Sequence, residues 1–489
     1  MTFTVQQFQA LLPLVITCAT SVLVMLSIAW RRHHAFNTLV CMLGLNAALV
    51  SVYFAAQVGP QAVTPLFIVD GYSLFFTGLI LAAGLASVTL INTYIDSFKY
   101  NREEMYLLMT IATAGGIVMA SAHHFASLFI GLELLSVSLF GLVGYSFHRP
   151  RALEAAIKYL VLSATASAVL LFGIALIYSQ FGSLAFSEIG PQLHEDARPI
   201  VLIGLAMLLI GLAFKLSLAP FHLWTPDVYE GAPAPVGAFL ATAAKVAVFA
   251  VTVRFLLLEA IGALQIPAIF HTLAAIAIAS ILVGNLLALR QNNIKRILGY
   301  SSIAHFGYLL VLLLTGGPVF GVEGFAAYLT IYVVTSLSSF GVVTLMSKCG
   351  QDRDADQLHD LRGLFWRRPY LATLMTVSLL SLGGIPLTAG FIGKFYVIVA
   401  AMTFQSSWGW AMLAAIVAGS AVGIYFYLRV MVNLYLAKPG MHKFEAQLGW
   451  GQHTSGLMVL CASALVVYIG VYPETLMQLV QIAKAAGVQ

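Results

Sequence analysis

Long apolar segments recur along almost the whole sequence, and they constrain the fold more than any other feature. Segments such as residues 71–95 and 236–258 provide the roughly twenty apolar residues that a helix needs to cross a bilayer. Because 60% of the 489 residues are hydrophobic and 9% are charged, no water-soluble core can bury so many separate segments. The alternation of apolar and polar residues that marks a membrane β-barrel is absent. We therefore predict an all-α polytopic membrane protein.

Polar breaks between these segments predict about fourteen membrane helices. No basic residue precedes the first segment, and Arg31 and Arg32 follow it, so we expect it to remain as a helix and not to be removed as a signal peptide. The predicted helices span residues 9–30, 36–57, 71–95, 104–121, 124–146, 152–180, 200–222, 236–258, 267–289, 295–315, 322–347, 369–400, 407–436 and 454–476.

Basic residues alternate from one loop to the next. The opposite loops carry Arg198 and Lys484, and one loop of the basic side, residues 224–235, has no Lys or Arg and includes Asp227 and Glu230. Because an excess of Lys and Arg marks the cytoplasmic side, an even number of helices predicts that both termini lie outside. The loops after odd-numbered helices carry Arg31, Arg32, Lys99, Arg102, Arg149, Arg151, Arg290, Lys295, Arg296, Lys348, Arg353, Arg362, Arg367, Arg368, Lys438 and Lys443.

Six ionisable side chains lie a turn or more inside apolar segments. A charge at the bilayer centre costs about 2.5–3.5 kcal/mol on insertion scales, so such residues usually face a protein-lined and partly hydrated interior. Arg254 and Arg429 lie closer to helix ends, where their long side chains are expected to reach the membrane interface. The six deep residues are Glu133, Lys158, Lys215, Lys245, His305 and Lys394.

Structural explanations remain open for most of these residues. Lys158 follows Glu154 by four positions, a spacing that favours an ion pair near a helix end. His305 can be a core histidine, and Lys215 and Lys394 can act as clamps that hold broken helices together.

Lys245 has the weakest structural explanation, because no charged residue and no break lies near it on its own helix. Loss of hydration favours the neutral form of a buried ammonium group, whereas a nearby carboxylate favours the charged form. A lysine that gains and loses a carboxylate partner can therefore bind and release a proton, which a guanidinium group effectively cannot do. Since every deep cation is Lys or His, the pattern predicts a proton relay.

Two of the deep lysines lie beside predicted helix breaks. Pro220 removes a backbone donor five residues after Lys215, and we expect it to interrupt helix 7, with residues from 223 onward forming a loop. Unwound backbone is tolerated in a bilayer only where protein covers it or where it lines a wet cavity. The break therefore predicts a cavity at Pro220 and His222, next to Lys215, while a simple helix end followed by proline-rich residues stays open as the alternative.

The second predicted break lies in helix 12. Gly383, Gly384 and Pro386 fall in the middle of residues 369–400, a segment too long for one straight helix, and Lys394 follows them. Paired segments interrupted by Gly and Pro are typical of inverted repeats with functional sites at the membrane midplane. We predict four parts of the chain: three N-terminal helices (1–103), a first five-helix repeat (104–258), a second inverted repeat (267–436) and helix 14 (437–489).

Cofactor motifs are absent from the sequence. Cys18, Cys41, Cys349 and Cys461 are isolated, with neither a C-x-x-C pair nor histidines at metal-ligand spacing. No G-x-G-x-x-G or P-loop lysine indicates a nucleotide site. We therefore predict no metal, cluster or nucleotide in this chain.

Four stretches identify a family. They read LELLSVSLFGLVGY (132–145), LAPFHLWTPDVYEGAPAPV (218–236), NIKRILGYSSIAHFGYLL (293–310) and GIPLTAGFIGKFYV (384–397). These stretches closely resemble the proton-translocating membrane subunits of respiratory NADH:quinone oxidoreductase, which are related to subunits of cation/proton antiporters. The resemblance implies proton translocation that is coupled to quinone reduction in other subunits, and it extends over the entire chain.

The resemblance also implies roles for individual residues. Glu133 resembles the carboxylate that pairs with the helix 7 lysine, here Lys215. Lys245 resembles the central lysine of helix 8, and Lys394 resembles the helix 12 lysine that faces the exit side. The further members of the polar chain that the resemblance implies are Lys158 and His305.

The cofactors and partners are likewise implied by the resemblance. FMN, iron–sulfur clusters and quinone are expected in other subunits and none in this chain. Expected partners are subunit M, the small A-, J- and K-type subunits, the lateral helix of subunit L and the lipid of a bacterial inner membrane, with no nucleic acid. Two alternatives stay open: a cation/proton antiporter subunit, for which we expect more deep carboxylates than Glu133, and a structural membrane subunit whose charges hold helices together.

Overall fold

The structure is a computed structural model that describes residues 4–96, 98, 101–195, 198–348, 351–436, 444, 446 and 449–484. Four residues named above, Lys99, Cys349, Lys438 and Lys443, lie outside the described residues, and so does the side chain of Lys484.

Helices account for most of the chain, as predicted. Most observed ends fall within a few residues of the predicted ones, and residues 71–95 coincide fully, but the helices predicted to end at 222 and 476 end at Leu216 and Val471. In chain order the helices are α1 (Val5–Ala10), α2 (Leu12–Trp30), α3 (His34–Ala56), α4 (Gly71–Ile95), α5 (Glu104–Ala120), α6 (Phe125–Val143), α7 (Pro150–Phe181), α8 (Phe186–Glu195), α9 (Pro199–Leu216), α10 (Trp224–Gly231), α11 (Ala234–Phe239), α12 (Lys245–Val253), α13 (Ile261–Gln265), α14 (Pro267–Ala288), α15 (Ile294–Thr315), α16 (Val322–Met346), α17 (Leu358–Leu361), α18 (Leu364–Arg367), α19 (Pro369–Gly383), α20 (Ala389–Thr403), α21 (Ser407–Tyr435), α22 (Thr454–Val471) and α23 (Glu474–Lys484).

Twelve helical segments of the described chain are long and apolar enough to cross a membrane. Three further apolar helices, α5, α19 and α20, are shorter. The last two are the halves of predicted helix 12, which explains why neither half is long enough to cross the membrane alone. The protein is therefore a multi-pass membrane protein, while the count of fourteen crossings and the inverted repeats stay predictions.

Local sequence signals define where several helices begin and end. Asp70 caps α4, because its Oδ1 accepts a hydrogen bond from the Ser73 amide at 2.7 Å. Proline occupies the first position of α14 and α19, where its missing N–H has no intrahelical partner to lose. Helix α7 ends at Gly182, whose φ of 66° an L-residue adopts only with strain.

A small β-hairpin, which the sequence analysis did not predict, joins α3 to α4. Strand β1 (Gln61–Thr64) pairs antiparallel with β2 (Phe67–Val69). The Ile68 amide also donates to the Ser121 carbonyl at 3.1 Å, which fastens the hairpin to the α5–α6 connection.

The helix predicted at residues 236–258 is not uniform. Between α11 and α12 the chain makes a π-helical turn, Leu240–Ala244, and a second π-helical turn, Arg254–Glu259, follows α12. A π-turn sits directly before Lys245, although the sequence shows neither Gly nor Pro there. Such turns are rare in helices and frequently accompany functional sites.

Burial increases from the N-terminal helices to the centre. In α2 and α3 only 28% of the most apolar stretch of eighteen residues is buried, whereas in the segments Ala234–Glu259 and Ile294–Thr315 all of that stretch is buried. Helices hydrophobic on all sides belong in the core of a bundle. The α11–α12 segment and α15 therefore form the centre of the molecule, and the polar residues on them are enclosed by protein.

Candidate functional site: a buried row of lysines and a histidine

The first break lies directly after Lys215. Helix α9 ends at Leu216, and Ser217 adopts a left-handed φ of 63°. The amides of Ser217 and Leu218 turn back to carbonyls of the last helical turn at 3.0 and 2.8 Å. These bonds satisfy carbonyls that the helix leaves open. The break therefore begins three residues before Pro220, which was predicted to cause it.

The chain resumes as a helix where a loop was expected. Residues from 224 form α10, because Pro226 falls in its first turn, where the backbone N–H groups need no helical partner. The Trp224 indole N–H donates to the Phe214 carbonyl at 3.0 Å, across the break. The same ring stacks between Phe214 and Tyr159 at centroid distances of 5.5 and 4.8 Å.

Two serines hold Lys215. Its Nζ donates to Ser136 Oγ and Ser163 Oγ, each at 2.6 Å, and the residue is 6% exposed. Glu133 lies one turn before Ser136, and Lys215 is within range of its charge. In the described part of the chain these two residues form no ion pair within 4.0 Å, and Glu133 Oε1 is buried without a hydrogen-bond partner. The structure thus brings the two residues near each other with the pair open.

Lys245 lies in the densest part of the core. Its Nζ donates to Ser302 Oγ at 2.6 Å and lies 5.0 Å from the Phe306 ring centroid and 5.9 Å from that of Tyr229. A protonated amine has three donors, and Ser302 is the one hydrogen-bond acceptor that the described residues give it. No carboxylate of the described chain lies within ion-pair distance of Lys245.

His305 lies one turn after Ser302 in a cage of tyrosines. Its Nδ1 and the Tyr328 hydroxyl share a hydrogen bond of 2.6 Å, and its ring centroid lies 5.2 Å from Tyr332 and 5.9 Å from Tyr308. A cavity of ≈ 10 Å³ borders this cage, about the space of one water molecule. His305 is therefore a buried histidine with a hydrogen-bond partner and a neighbouring void.

The second break encloses Lys394. Its Nζ donates to the carbonyl of Gly383, the last residue of α19, at 2.7 Å, and lies 5.8 Å from the Tyr308 ring centroid. A Cβ on Gly384 would lie 2.5 Å from Lys394 Cδ and 3.2 Å from its Nζ. Gly384 also has a φ of 75°, so this position needs glycine for conformation and for space.

The two breaks are built alike. In α19, as in α9, a left-handed residue ends the helix and two successive amides turn back, Gly384 N to Ser381 O at 2.9 Å and Ile385 N to Leu380 O at 3.1 Å. A side-chain N–H from beyond each break caps the open end of the helix, an indole in the first and an ammonium in the second.

The predicted prolines of both breaks face outward. Pro220 and Pro386 are exposed, and Pro220 borders an apolar surface groove of ≈ 540 Å³, away from the lysines. His222 points inward, is 6% exposed and has no hydrogen-bond partner for either ring nitrogen. Of these predicted cavity residues, Gly383 and Gly384 contact the lysine row directly, because Lys394 packs on both.

Lys158 is not enclosed by the rest of the chain, contrary to the sequence prediction. Its side chain is 43% exposed and pairs with Glu154 at 2.6 Å and Asp227 at 2.9 Å. Arg296 and Arg151 extend this cluster through Glu230, at 3.0 and 2.8 Å. The ion pair at (i, i+4) that the sequence left open is present, and the partner on α10 lies too far along the chain for the sequence to reveal it.

A buried ion cluster at the basic side was missed. The Asp354 carboxylate accepts hydrogen bonds from Tyr94, Arg149, Lys295 and the amide of Ala234, at 2.7 to 3.1 Å. Burial would raise the pKa of Asp354, but the charges of Lys295 and Arg149 outweigh it and hold that pKa well below its usual range. The sequence offered one signal for this cluster, namely three aspartates at 352, 354 and 356 in a loop that is otherwise rich in basic residues.

The two arginines expected to reach the interface behave differently. Arg254 is 2% exposed and forms a bidentate ion pair with Asp70, at 2.8 and 3.0 Å. The expectation that its side chain reaches the membrane interface is therefore wrong. Its guanidinium also stacks over the Tyr72 ring at 4.8 Å. Arg429 NH1 donates to the Leu289 carbonyl at 2.7 Å, and thereby joins two helices.

No group of three or more potential metal ligands occurs among the described residues. Lys215, Lys245, His305 and Lys394 all lie inside one helical bundle, and their partners are serine and tyrosine hydroxyls and a backbone carbonyl. Hydroxyl groups both donate and accept, so they can pass protons between amines. The described residues of this membrane protein thus include four buried ionisable side chains that are hydrogen-bonded to neutral groups.

Comparison with known families shows which class of membrane protein this is. Residues 122–423 match the transmembrane family described as NADH:quinone oxidoreductase/Mrp antiporter, and the chain belongs to it. Among its relatives is NADH-quinone oxidoreductase subunit N of Ectopseudomonas mendocina (strain ymp), which is 54% identical over 98% of this chain and 97% of that protein.

Solved structures show the same fold. A chain of respiratory complex I from Thermus thermophilus, with bound aureothin, is 35% identical, covers 95% of this chain and 98% of its own length, and has a TM-score of 0.81. Two more distant structures share the fold alone. A chain of an archaeal membrane-bound sulfane sulfur reductase is 23% identical, with 99% of this chain and 98% of that chain covered and a TM-score of 0.85. A chain of the Mrp complex from Dietzia sp. DQ12-45-1b is 19% identical, with 98% of this chain and 97% of that chain covered and a TM-score of 0.82.

Proposed function

We propose that this chain is the proton-translocating membrane subunit that corresponds to subunit N of NADH-quinone oxidoreductase, the counterpart of mitochondrial subunit 2. In this role it is part of a translocase and moves protons along its buried lysines, while other subunits reduce quinone. The 54% identical relative of that name supports this assignment over nearly the full chain.

The contrast between two sets of buried cations carries the proposal. Lys295 and Arg149 face Asp354 at 2.8 and 2.9 Å, as expected for charges that hold helices together. Lys215, Lys245 and Lys394 are as deeply buried, but in the described structure their hydrogen-bond partners are neutral oxygens. A permanently charged ammonium is costly in such a place, whereas an amine that alternates between charged and neutral forms is suited to it.

In the proposed mechanism, the open Glu133–Lys215 arrangement is one of two states. Closing the pair stabilises the Lys215 ammonium, and opening it favours release of a proton toward Lys245 and then Lys394. A change of one pKa unit corresponds to about 1.36 kcal/mol, so a shift of a few units makes a bound proton mobile. Moving one charge against 100 mV costs about 2.3 kcal/mol, which is of the same size.

The proposed setting rests on the same assignment. Subunit M, the small A-, J- and K-type subunits and the lateral helix of subunit L are the proposed neighbours, with FMN, iron–sulfur clusters and quinone held by other subunits. We place the chain in the bacterial inner membrane with both termini periplasmic, which the alternation of basic loops supports. A cysteine added at either terminus and labelled from the periplasm tests that orientation.

Lys245→Ala tests the function. We expect the complex to assemble and proton pumping to fall at least fivefold, with Lys245→Arg failing to restore it, because a guanidinium does not release its proton. Pumping is measured as acidification of inverted membrane vesicles during NADH oxidation. Lys348→Ala, which removes an ammonium outside the apolar helices, is the control and should pump normally.

Normal pumping by an assembled Lys245→Ala complex would leave the structural-subunit alternative. The antiporter alternative is separated by purification, since a chain that copurifies with iron–sulfur subunits is part of an oxidoreductase. Copurification with antiporter subunits alone would overturn the assignment.

A further inference from the structure

Lys245 needs a supply of protons, and one face of α15 leads to it from the basic side. Lys295, Gly299, Ser302 and Phe306 are spaced at i, i+4, i+7 and i+11, so they lie on one face of the helix. Lys295 and Ser302 are separated by about 10 Å along the axis. This face therefore connects the buried ion cluster at the basic side with the hydroxyl that holds Lys245.

The basic end of this face meets an open cavity. A cavity of ≈ 340 Å³ is lined by Lys295, Asp354 and Asp356 together with Arg151 and Glu230. Asp356 is 2% exposed, and its Oδ2 lies 3.7 Å from Lys295 Nζ. Burial raises the pKa of Asp356, against the opposing charge of Lys295, whereas the pKa of Asp354 is lowered. Asp356 is thus the carboxyl group at the inner wall of the cavity that is better able to carry a proton.

Tyr229 spans the middle of the path. It is fully buried on α10, and its ring lies over Gly299, where an added Cβ would be 3.5 Å from it. Lys295 Nζ donates to the carbonyl of Ala232, at the end of α10, at 2.9 Å. The helix that holds Tyr229 is therefore fastened to the cavity wall.

The Tyr229 hydroxyl has no hydrogen-bond partner among the described residues. A buried hydroxyl left unpaired costs about 1–3 kcal/mol. Its ring centroid lies 5.9 Å from Lys245 Nζ, and its hydroxyl is close enough to the Ser302 side chain to interact with it, although the two do not meet the geometry of a hydrogen bond. An unpaired hydroxyl beside an amine with free donors is the arrangement expected where a proton passes through transient water.

We propose that Tyr229 is the gate of the proton inlet to Lys245. Resting on the proposed function, the path runs from water in the basic-side cavity to Asp356, past Lys295 to the Tyr229 hydroxyl and then through Ser302 to Lys245. At each step one O–H or N–H bond breaks as the next forms, and the hydroxyl gives up one proton while it accepts another.

Tyr229→Phe tests the inlet in the assembled complex. The substitution keeps the ring packed on Gly299 and removes a hydroxyl that makes no hydrogen bond of good geometry among the described residues, so we expect folding to be preserved. We expect at least a threefold loss of pumping and of coupled NADH:quinone turnover, with the NADH:ferricyanide rate unchanged. Tyr229→His, which restores a group able to carry a proton, should recover part of the activity.

Tyr106→Phe is the matched control. The Tyr106 hydroxyl is also buried without a hydrogen-bond partner, and its ring packs against His34, away from the lysines. The Tyr106→Phe variant should behave as wild type.

If Tyr229→Phe pumps normally while Lys245→Ala does not, the proposed inlet is wrong and the proposed function stands. If Tyr229→Phe and Lys245→Ala both pump normally, the proposed function itself is overturned. An equal loss in Tyr229→His and Tyr229→Phe would also overturn the inlet, because it would indicate a packing effect.

Discussion

At the scale of single residues, depth in the bundle and choice of partner decide what each charge can do. The sequence predicted the deep burial of Lys215, Lys245, His305 and Lys394, because a charge inside an apolar segment has few other places to lie. It failed for Lys158, whose partner Asp227 belongs to another element. Partners that are distant in sequence are set by packing, and no local pattern records them.

Gly384 is a residue whose role the geometry specifies. Gly384→Ala should displace Lys394 from the Gly383 carbonyl, because the added methyl group would lie 2.5 Å from Lys394 Cδ and the left-handed φ costs about 1 kcal/mol more. We expect severalfold lower pumping in membrane vesicles.

Gly383→Ala provides the control, since its added Cβ would meet the nearest atoms at 3.7 Å, an ordinary contact. Equal activity in the two alanine variants would contradict the proposed fit between Gly384 and Lys394.

At the scale of elements, the sequence predicted that two helices are broken, but it did not predict the conformation of the residues at either break. Pro220 and the Gly383–Gly384 pair located both interruptions within a few residues. The left-handed Ser217 and the short helix α10 were missed, because proline marks a break without determining the conformation of the residues around it. The π-helical turns beside α12 were also not predicted. That segment is apolar on almost every side, so its hydrophobic pattern does not show where the helical periodicity changes.

Trp224 links the two sides of the first break. Trp224→Phe keeps an aromatic ring between Phe214 and Tyr159 but removes the N–H bond to the Phe214 carbonyl. We expect a local loss of about 1 kcal/mol, seen as faster hydrogen exchange at residues 213–218 in the purified complex.

Unchanged exchange at residues 213–218 would show that the indole N–H does not hold the end of α9. Trp366→Phe is a suitable control, because its indole bonds to the Tyr435 carbonyl at an exposed site far from the break.

At the scale of the whole molecule, paired charges lie near both ends of the bundle and unpaired ones lie between them. Asp70 and Arg254 pair at one end, and Arg149, Asp354 and Lys295 cluster at the other. The alternation of basic loops was visible in sequence, yet the clusters join loops that are separated by up to about two hundred residues. Such pairings require the folded structure, which explains why they were not predicted.

Asp354→Asn tests this distribution. It leaves Arg149 and Lys295 buried without a countercharge, which typically costs about 3–5 kcal/mol. We expect a lower melting temperature of the purified complex.

The pH dependence has a definite sign. Because the pKa of Asp354 is lowered in the fold, its stabilising effect is complete above the unfolded value of 3.8 and is lost only as pH falls through the lower folded value. The melting temperatures of wild type and Asp354→Asn should thus differ at neutral pH and converge in strong acid. A constant gap between them down to low pH would contradict the assignment.

The π-helical turn Leu240–Ala244 accommodates one extra residue directly before Lys245. An α-helix rotates by roughly 100° per residue, and a π-turn contains about one residue more than a regular turn. Removing a single alanine there would therefore convert the wide turn into a regular one, so the helices on either side would keep their relative orientation and the amine would still face Ser302. Relatives that lack one residue in this short stretch are thus expected to keep this lysine directed at the same hydroxyl.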